Sequence, residues 1–232
     1  MNNDSYYSNA PVIELDENSR GQFISRTYNH LFGAIIAFTL IEVALFRSGL
    51  ADSMFAAMLG TNWLFILGGF VVISWVARAA AHRATSMATQ YLALTGYVIA
   101  EAIIFVPLLY IADRFAPGAI ASAALVTLLA FTGLSAVVFI TRKDFSFLRG
   151  ILMWGGIIAF VLIVAGVIFG FQLGTYFSVA MVALAGGAIL YDTSNILRNY
   201  PADRYVAASL ELFADVALML WYVLRLFISS RR

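Results

Sequence analysis

Seven apolar stretches, each long enough to cross a lipid bilayer, set the strongest constraint on how this chain can fold. A spanning helix needs about 20 predominantly apolar residues. The stretches cover residues 29–46, 62–79, 88–112, 118–141, 150–171, 175–197 and 205–228. Because 62% of the residues are hydrophobic and only 12% are charged, the chain has too few polar side chains to cover the surface of a soluble domain. It is therefore predicted to be a membrane protein.

The seven stretches are predicted to be helices. Within lipid only helices and closed β-barrels satisfy all backbone hydrogen bonds, and these stretches are too long and too uniformly apolar for barrel strands. We predict an all-α integral membrane protein in which seven transmembrane helices form one domain over residues 23–232. Stretches five and six are separated only by residues 172–174, so these two helices should form a tight antiparallel hairpin.

Residues 1–22 are polar and acidic, and they lack the basic-then-apolar order of a cleaved signal peptide. We expect them to form a disordered soluble tail.

Lysine and arginine are enriched in cytoplasmic loops of membrane proteins. On this chain the tail and the 2–3, 4–5 and 6–7 connections carry Arg20, Arg26, Arg78, Arg83, Arg142, Lys143, Arg149, Arg198 and Arg204, whereas the opposite side carries Arg47 and Arg114. The N-terminus is therefore predicted to be cytoplasmic, in a bacterial inner membrane.

The last stretch leaves its orientation open. Arg225, Arg231 and Arg232 lie at its far end, where a helix that crosses fully would place them outside, against the charge rule. A partly re-entrant last helix explains them equally well.

Other classes are excluded by composition. The chain has no cysteine and only two histidines, which argues against disulfides and transition-metal sites, and a net charge of +1 argues against nucleic-acid binding. No cofactor is expected.

Acidic residues inside the apolar stretches are the candidate functional residues. A charged side chain in a membrane span is costly, so it usually faces a cavity or a partner. Four acids lie well inside the stretches, namely Glu42, Glu101, Asp192 and Asp215, and Glu211 lies nearer the start of the seventh. The alternative is a purely structural role, in which such a residue only forms a hydrogen bond to a neighbouring helix. For Glu42 we favour a position near the outer membrane interface. For Glu101 a functional role and a purely structural role are equally open.

Asp192 and Asp215 are predicted to face each other. They lie at nearly equal distances from the "PADR" turn between stretches six and seven, so an antiparallel hairpin puts them at the same depth. Two carboxyl groups in a low-dielectric site cannot both ionise cheaply, and we expect them to titrate as a coupled pair. Arg78 is the predicted basic partner, and Asn195 extends the polar stripe of the sixth helix.

Several segments resemble the Bax inhibitor family. The pieces are "YDTSNIL" at 191–197, "LFADVALMLWYVLRLF" at 212–227, "TRKDFSFL" at 141–148 and "SRTY" at 25–28. The resemblance implies a last helix that is central and wrapped by the other six, and a pH-sensitive calcium leak with Asp192 and Asp215 as its paired acids. The basic partner on the second helix is matched by Arg78, with Arg83 as a competitor.

The family also has a latch between an acid on the second helix and an arginine matched by Arg225. The second helix of this chain has no such acid, so Glu42 or Glu101 would have to replace it. From these residues we expect a proton-gated cation leak. Protonation of an aspartate would weaken its tie to Arg78 and free a helix to shift. Two carboxylates with Asn195, backbone carbonyls and water would supply a weak, transient calcium site.

Two other functions remain open. Intramembrane aspartyl proteases also carry acids on adjacent spans and use them as acid and base toward water. Their second aspartate resembles G-x-G-D, whereas Leu212, Phe213 and Ala214 precede Asp215 here, which disfavours proteolysis. The third possibility is a non-conducting membrane regulator that binds a partner protein, such as a protease, through its tail.

Overall fold

Seven helices among the described residues are long and apolar enough to cross a membrane, which confirms the predicted number, order and type of elements. The structure, a computed structural model, describes residues 10–83 and 86–230. The spanning helices are α1 (Glu17–Arg47), α2 (Trp63–Arg83), α3 (Met87–Phe115), α4 (Ala119–Thr141), α5 (Leu148–Phe169), α6 (Gly174–Asn199) and α7 (Tyr205–Ser229). The predicted hairpin of the fifth and sixth stretches is formed by α5 and α6, which pack together.

Local sequence signals fix several helix ends. Asp16 caps α1 by accepting a hydrogen bond from the Ser19 N–H at 2.7 Å, and Ser86 caps α3 in the same way; short polar side chains at this position satisfy otherwise unpaired N–H groups. Gly118, just before α4, has a φ of 79°. This left-handed conformation is cheap for glycine alone, and it lets the chain reverse between α3 and α4.

The last helix, α7, is the most buried of the seven. In its most apolar stretch 61% of the residues are buried, against 50% for α3 and 11% for α2 and α5. It packs against α1, α2, α3, α4 and α6. The remaining helix, α5, packs mainly on α6 and meets α7 at Tyr222, in a small cluster with Ala159 and Met181. Side chains on α7 can therefore reach most of the bundle.

The predicted tail is partly folded, which corrects the expectation of disorder over residues 10–22. Val12 is completely buried, and its N–H donates to the carbonyl of Tyr200 at 2.9 Å. Leu15 is buried nearby, and α1 begins at Glu17. The apolar side chains of Val12 and Leu15 pack into the core of the bundle, which explains the difference. Residues 1–9 of the predicted tail lie outside the described residues.

A short helix, Leu50–Leu59, occupies the connection between α1 and α2, where we predicted a simple break. Ten residues are too few to cross a bilayer. Asp52 accepts hydrogen bonds from Tyr110 at 3.0 Å and from Arg114 at 3.1 Å, and Phe55 stacks on Tyr110. These contacts fix the short helix to the far end of α3.

The connection between α4 and α5 is bound to α6. The Phe145 N–H donates to the Ser194 hydroxyl at 3.2 Å, and this hydroxyl lies 3.4 Å from the Lys143 carbonyl. Arg198 donates to the carbonyl of Arg142 at 2.7 Å. The segment "TRKDFSFL" therefore holds the end of α6 that carries Asp192.

Candidate functional site

Asp192 and Asp215 lie side by side in the α6–α7 hairpin. Their carboxyl groups are close neighbours, and the charge of Asp192 acts on Asp215. Asp215 is buried and Asp192 is half-buried. The turn Ala202–Arg204 lies midway between them in sequence, which is why the hairpin brings them to the same depth. The Oδ2 atom of Asp215 has no hydrogen-bond partner among the described residues.

Glu211, one turn before Asp215 on α7, is the direct partner of the basic residues. Arg78 donates to its Oε2 atom in an ion pair, and the Nε2 atom of His82 lies 2.8 Å from its Oε1 atom. Because a carboxylate only accepts hydrogen bonds, the Nε2 atom of His82 carries the proton.

The expected direct pairing of Arg78 with an aspartate is therefore wrong. Arg78 bonds to Glu211 and acts on Asp192 and Asp215 only through its charge. Its guanidinium reaches Glu211 because α2 packs against α7. The competitor, Arg83, has no contact with these acids among the described residues, so Arg78 is the basic residue of the cluster.

His82 and Tyr200 also belong to this site, although the sequence suggested that His82 ends a solvated loop. The hydroxyl of Tyr200 lies 3.3 Å from the Nε2 atom of His82, and the centres of the two rings lie 5.5 Å apart. The spacing of four residues between Arg78 and His82 places them on one face of α2, and this signal could have identified His82. Tyr200 lies in a turn, where no periodicity marks it.

The polar network continues to the middle of α3. Tyr97 lies within reach of the charges of both Arg78 and Glu101, and Glu101 is buried. Glu101 follows Tyr97 by four residues and so shares its face of α3. We call the set Asp192, Asp215, Glu211, Arg78, His82, Tyr200, Tyr97 and Glu101 the acid cluster.

The remaining candidate residues lie outside the acid cluster. The side-chain oxygen of Asn195 accepts a hydrogen bond from Asn199 at 2.8 Å, so the polar stripe on α6 pairs with itself. Glu42 is buried on the inner face of α1, and neither of its carboxyl oxygens has a hydrogen-bond partner among the described residues. Glu42 lies five residues before the end of α1, and its position near the outer membrane interface stays a prediction.

No latch involving Arg225 is formed in the described part of the chain. Arg225 follows Glu211 by 14 residues, which is about 21 Å along α7. It forms no ion pair there with Glu42 or Glu101. Glu101 instead interacts with Tyr97 and Arg78.

The acid cluster does not form a preorganised metal site. Residues 10–83 and 86–230 contain no group of three or more His, Cys, Asp or Glu side chains placed to hold a metal ion. Calcium takes about 6–8 oxygen ligands, so Asp192 and Asp215 would have to draw most of them from the backbone and water. The weak calcium site stays a prediction.

Comparison with known proteins identifies the family. The family described as "Inhibitor of apoptosis-promoting Bax1" matches residues 20–232. The chain belongs to the Bax inhibitor family. This result confirms the resemblance of its sequence motifs, and together with the seven spanning helices it makes the chain a multi-pass membrane protein of that family.

Relatives in the Bax inhibitor family include proteins from yeast and bacteria. Bax inhibitor 1 of Schizosaccharomyces pombe is 28% identical over 228 residues, which cover 91% of this chain and 78% of the yeast protein. "Modulator of FtsH protease YccA" of Escherichia coli is 35% identical over 91 residues, which cover 39% of this chain and 41% of YccA. An uncharacterized Pseudomonas aeruginosa protein is 33% identical over 111 residues, 47% of this chain and 49% of that protein. The matches to the bacterial relatives thus span less than half of either chain.

Proposed function

We propose that the protein is a pH-sensitive cation leak channel of a bacterial inner membrane, with calcium as the permeant ion and Asp192 and Asp215 as the protonation switch. The observation that carries the proposal is the pair of neighbouring aspartates beside the Arg78–Glu211 ion pair. Paired acids supply a group that changes charge with pH. The ion pair supplies a tie between two helices that this change can weaken.

The moving element in this proposal is α2. It is among the least buried spanning helices, and it packs more extensively on α3 than on α7. Arg78 and His82 both bind Glu211 and so tie α2 to α7. Because α2 packs only lightly on α7, weakening these polar ties frees α2 from α7 at a low free-energy cost.

Protonation acts on this tie through charge. While Asp192 and Asp215 share one proton, the pair carries one negative charge that adds to the attraction of Glu211 for Arg78. A second proton removes that charge and leaves Arg78 held by Glu211 alone.

The same carboxyl groups can attract the ion. The free Oδ2 atom of Asp215 and the Asp192 carboxylate offer oxygen ligands of the kind calcium prefers. A leak requires binding that is favourable enough for entry and weak enough for release, and a site with only two carboxylates suits this requirement. Protonation lowers the attraction for calcium while it loosens α2, so the flux depends on which effect is larger.

The test is calcium flux into liposomes that contain the purified protein and an internal calcium dye, over a range from about pH 8 to about pH 5. Asp192→Asn and Asp215→Asn should each flatten the dependence of the initial rate on pH, because neither variant retains two coupled carboxyl groups. Elution as a single species and an unchanged helical circular dichroism signal establish that the variants are folded.

Asp144→Asn is the matched control for the loss of one carboxyl group. Asp144 is exposed in the connection between α4 and α5. The backbone N–H of Ser146 donates to its carboxylate at 2.8 Å and lowers the pKa of Asp144, so this acid stays ionised throughout the titration. Asp144→Asn should keep the wild-type pH profile. An unchanged profile in both cluster variants would refute the switch.

A non-conducting regulator of a membrane protease is the second candidate, and the name of the relative YccA, "Modulator of FtsH protease", favours it. The test deletes residues 2–9 and leaves Val12 and Leu15, which pack on the bundle. If the deletion abolishes an effect on protease activity while calcium flux stays normal, the regulator function is favoured. Cleavage of a single-span reporter in the same liposomes would instead favour an aspartyl protease.

A further inference from the structure

A groove of about 370 Å³ runs along the seam between α1 and α3. Its walls are formed by Gly33 and Ala37 on α1 and by Thr95 and Ile99 on α3, and Ala34 and Val98 lie at its floor. Small residues on α1 create the space, since a Cβ atom added at Gly33 would have no neighbour within 4 Å. The volume lies in the range of sites for small organic ligands, about 300–1,000 Å³.

One end of the groove is polar and basic. Arg26 lies one turn before His30 on the same face of α1, and its guanidinium lies 5.4 Å from the ring centre of Tyr205. No acidic side chain pairs with Arg26 among the described residues. The exposed cation therefore stands at the mouth of an apolar groove without a counter-charge from the described chain.

His30 and Tyr91 fix the geometry of this end. The Nδ1 atom of His30 lies 2.7 Å from the Arg26 carbonyl and its Nε2 atom lies 2.7 Å from the Tyr91 hydroxyl. Because a carbonyl only accepts, Nδ1 of His30 donates to the Arg26 carbonyl. The His30 ring also packs against Tyr205 at 5.1 Å. Aromatic side chains of this kind are typical of the membrane interface.

The length of the groove matches one leaflet. Its lining on α1 runs from Asn29 to Ile41, which is about 18 Å along a helix. Half of a hydrocarbon core is about 15 Å. A ligand that extends from the basic end to the far end of the groove therefore has the reach of one phospholipid acyl chain.

We propose that the groove binds an anionic phospholipid, with one acyl chain along Gly33, Ala37 and Ile99 and the headgroup phosphate at Arg26. The ligand is favoured over a helix of a partner protein because the groove is narrow and ends at an unpaired cation. Basic pockets between transmembrane helices bind acidic headgroups in this manner. The proposal does not depend on the function of the acid cluster.

The test uses the full chain in lipid nanodiscs that contain a trace of phosphatidylglycerol with a photoreactive group in its acyl chain. After irradiation, labelled peptides are mapped by mass spectrometry. Labelling should concentrate at residues 33–41 and 94–99, well above the exposed lipid-facing residues of α5. Unlabelled phosphatidylglycerol should compete about fivefold better than phosphatidylcholine, because one basic residue near the headgroups contributes about 1 kcal/mol.

Four variants separate a site from ordinary lipid contact. Gly33→Leu fills the groove and should reduce labelling there. Gly133→Leu adds the same side chain on α4, at a position where the space around the Cβ atom is equally open, and should leave the labelling unchanged. Arg26→Gln should remove the preference for phosphatidylglycerol, and Arg26→Lys should retain it. Helical circular dichroism and elution profile check each fold.

Three outcomes would overturn the proposal. Equal labelling of the groove and of α5 would mean that lipid contacts the whole surface without a site. Equal competition by both lipids would remove the role of Arg26. Cross-links between two copies of the chain at residues 33–41, in place of lipid adducts, would identify the groove as a protein interface.

Discussion

If the protein is the proposed leak channel, replacing Glu211 with glutamine should open it at neutral pH. Glu211 accepts hydrogen bonds from both Arg78 and His82, and these are polar contacts that hold α2 against α7. Glutamine keeps the shape of the side chain and loses its charge. The closed arrangement then loses stability relative to any arrangement in which Arg78 and His82 are free to face water.

The size of the effect follows from the two contacts. A hydrogen bond to a charged group contributes about 1.5–3 kcal/mol. The side chains of Arg78 and His82 are 39% and 44% exposed, so solvent screening places each contact at or below the low end of this range. Because the glutamine oxygen still accepts one hydrogen bond, we expect a net loss of about 2 kcal/mol. This loss raises the open-to-closed ratio by about 30-fold.

The assay is the initial rate of calcium entry into liposomes at neutral pH, for wild type, Arg78→Gln, Glu211→Gln and the double variant. Each single variant should raise the rate toward the factor of about 30. The double variant should add little, since both changes break the same ion pair, and the coupling free energy in the cycle should lie within about 0.5–3 kcal/mol. Asp144→Asn again controls for the loss of one acidic group.

Two results would refute this reasoning. A folded Glu211→Gln variant with the wild-type rate at neutral pH would show that the ion pair does not hold the closed state. Strictly additive effects of Arg78→Gln and Glu211→Gln would show that the two residues act independently, contrary to their contact.

Two further predictions concern residues outside the acid cluster. Val12→Asp should lower the free energy of unfolding by about 2–3 kcal/mol, because Val12 is completely buried. Ile13→Asp, at an exposed position, should change it little. Equal melting temperatures in detergent for both variants would contradict the packing of this segment. Glu42→Leu should raise the melting temperature, because burying an unpartnered polar group costs about 1–3 kcal/mol, and a lower melting temperature would show that the carboxyl group has a stabilising partner.

The fold could be predicted because its signal is repeated along the chain. Each spanning helix is an apolar stretch longer than any soluble core requires, and turn residues such as Gly118 separate them. The short helix Leu50–Leu59 was missed because an apolar segment of only ten residues cannot be distinguished from a loop by its length. The packing of Val12 on the bundle was missed for a related reason, since a single buried side chain in a short segment produces no periodic pattern in the sequence.

The acid cluster was only partly predictable. Asp192 and Asp215 follow from hairpin geometry, which sequence spacing fixes within a residue or two. The choice of Glu211 rather than an aspartate as the partner of Arg78 depends on how α2 lies against α7, and this contact joins residues 133 positions apart. Periodicity within a helix carries no information on such a pair. Tyr97 shares a face with Glu101, but a tyrosine in an apolar helix is not unusual enough to be singled out.

The two proposed functions can share one structure. Val12 donates to the carbonyl of Tyr200, the Tyr200 hydroxyl contacts His82, and His82 binds Glu211. The N-terminal segment is therefore connected to the α2–α7 tie through three successive contacts. A partner protein that pulled this segment from the bundle would move Tyr200 and weaken the hold of His82 on Glu211. If both functions operate, Tyr200→Phe should leave the aspartate pH response intact and reduce the effect of such a partner on calcium flux; an equal effect of the partner on both proteins would show that the coupling does not pass through Tyr200.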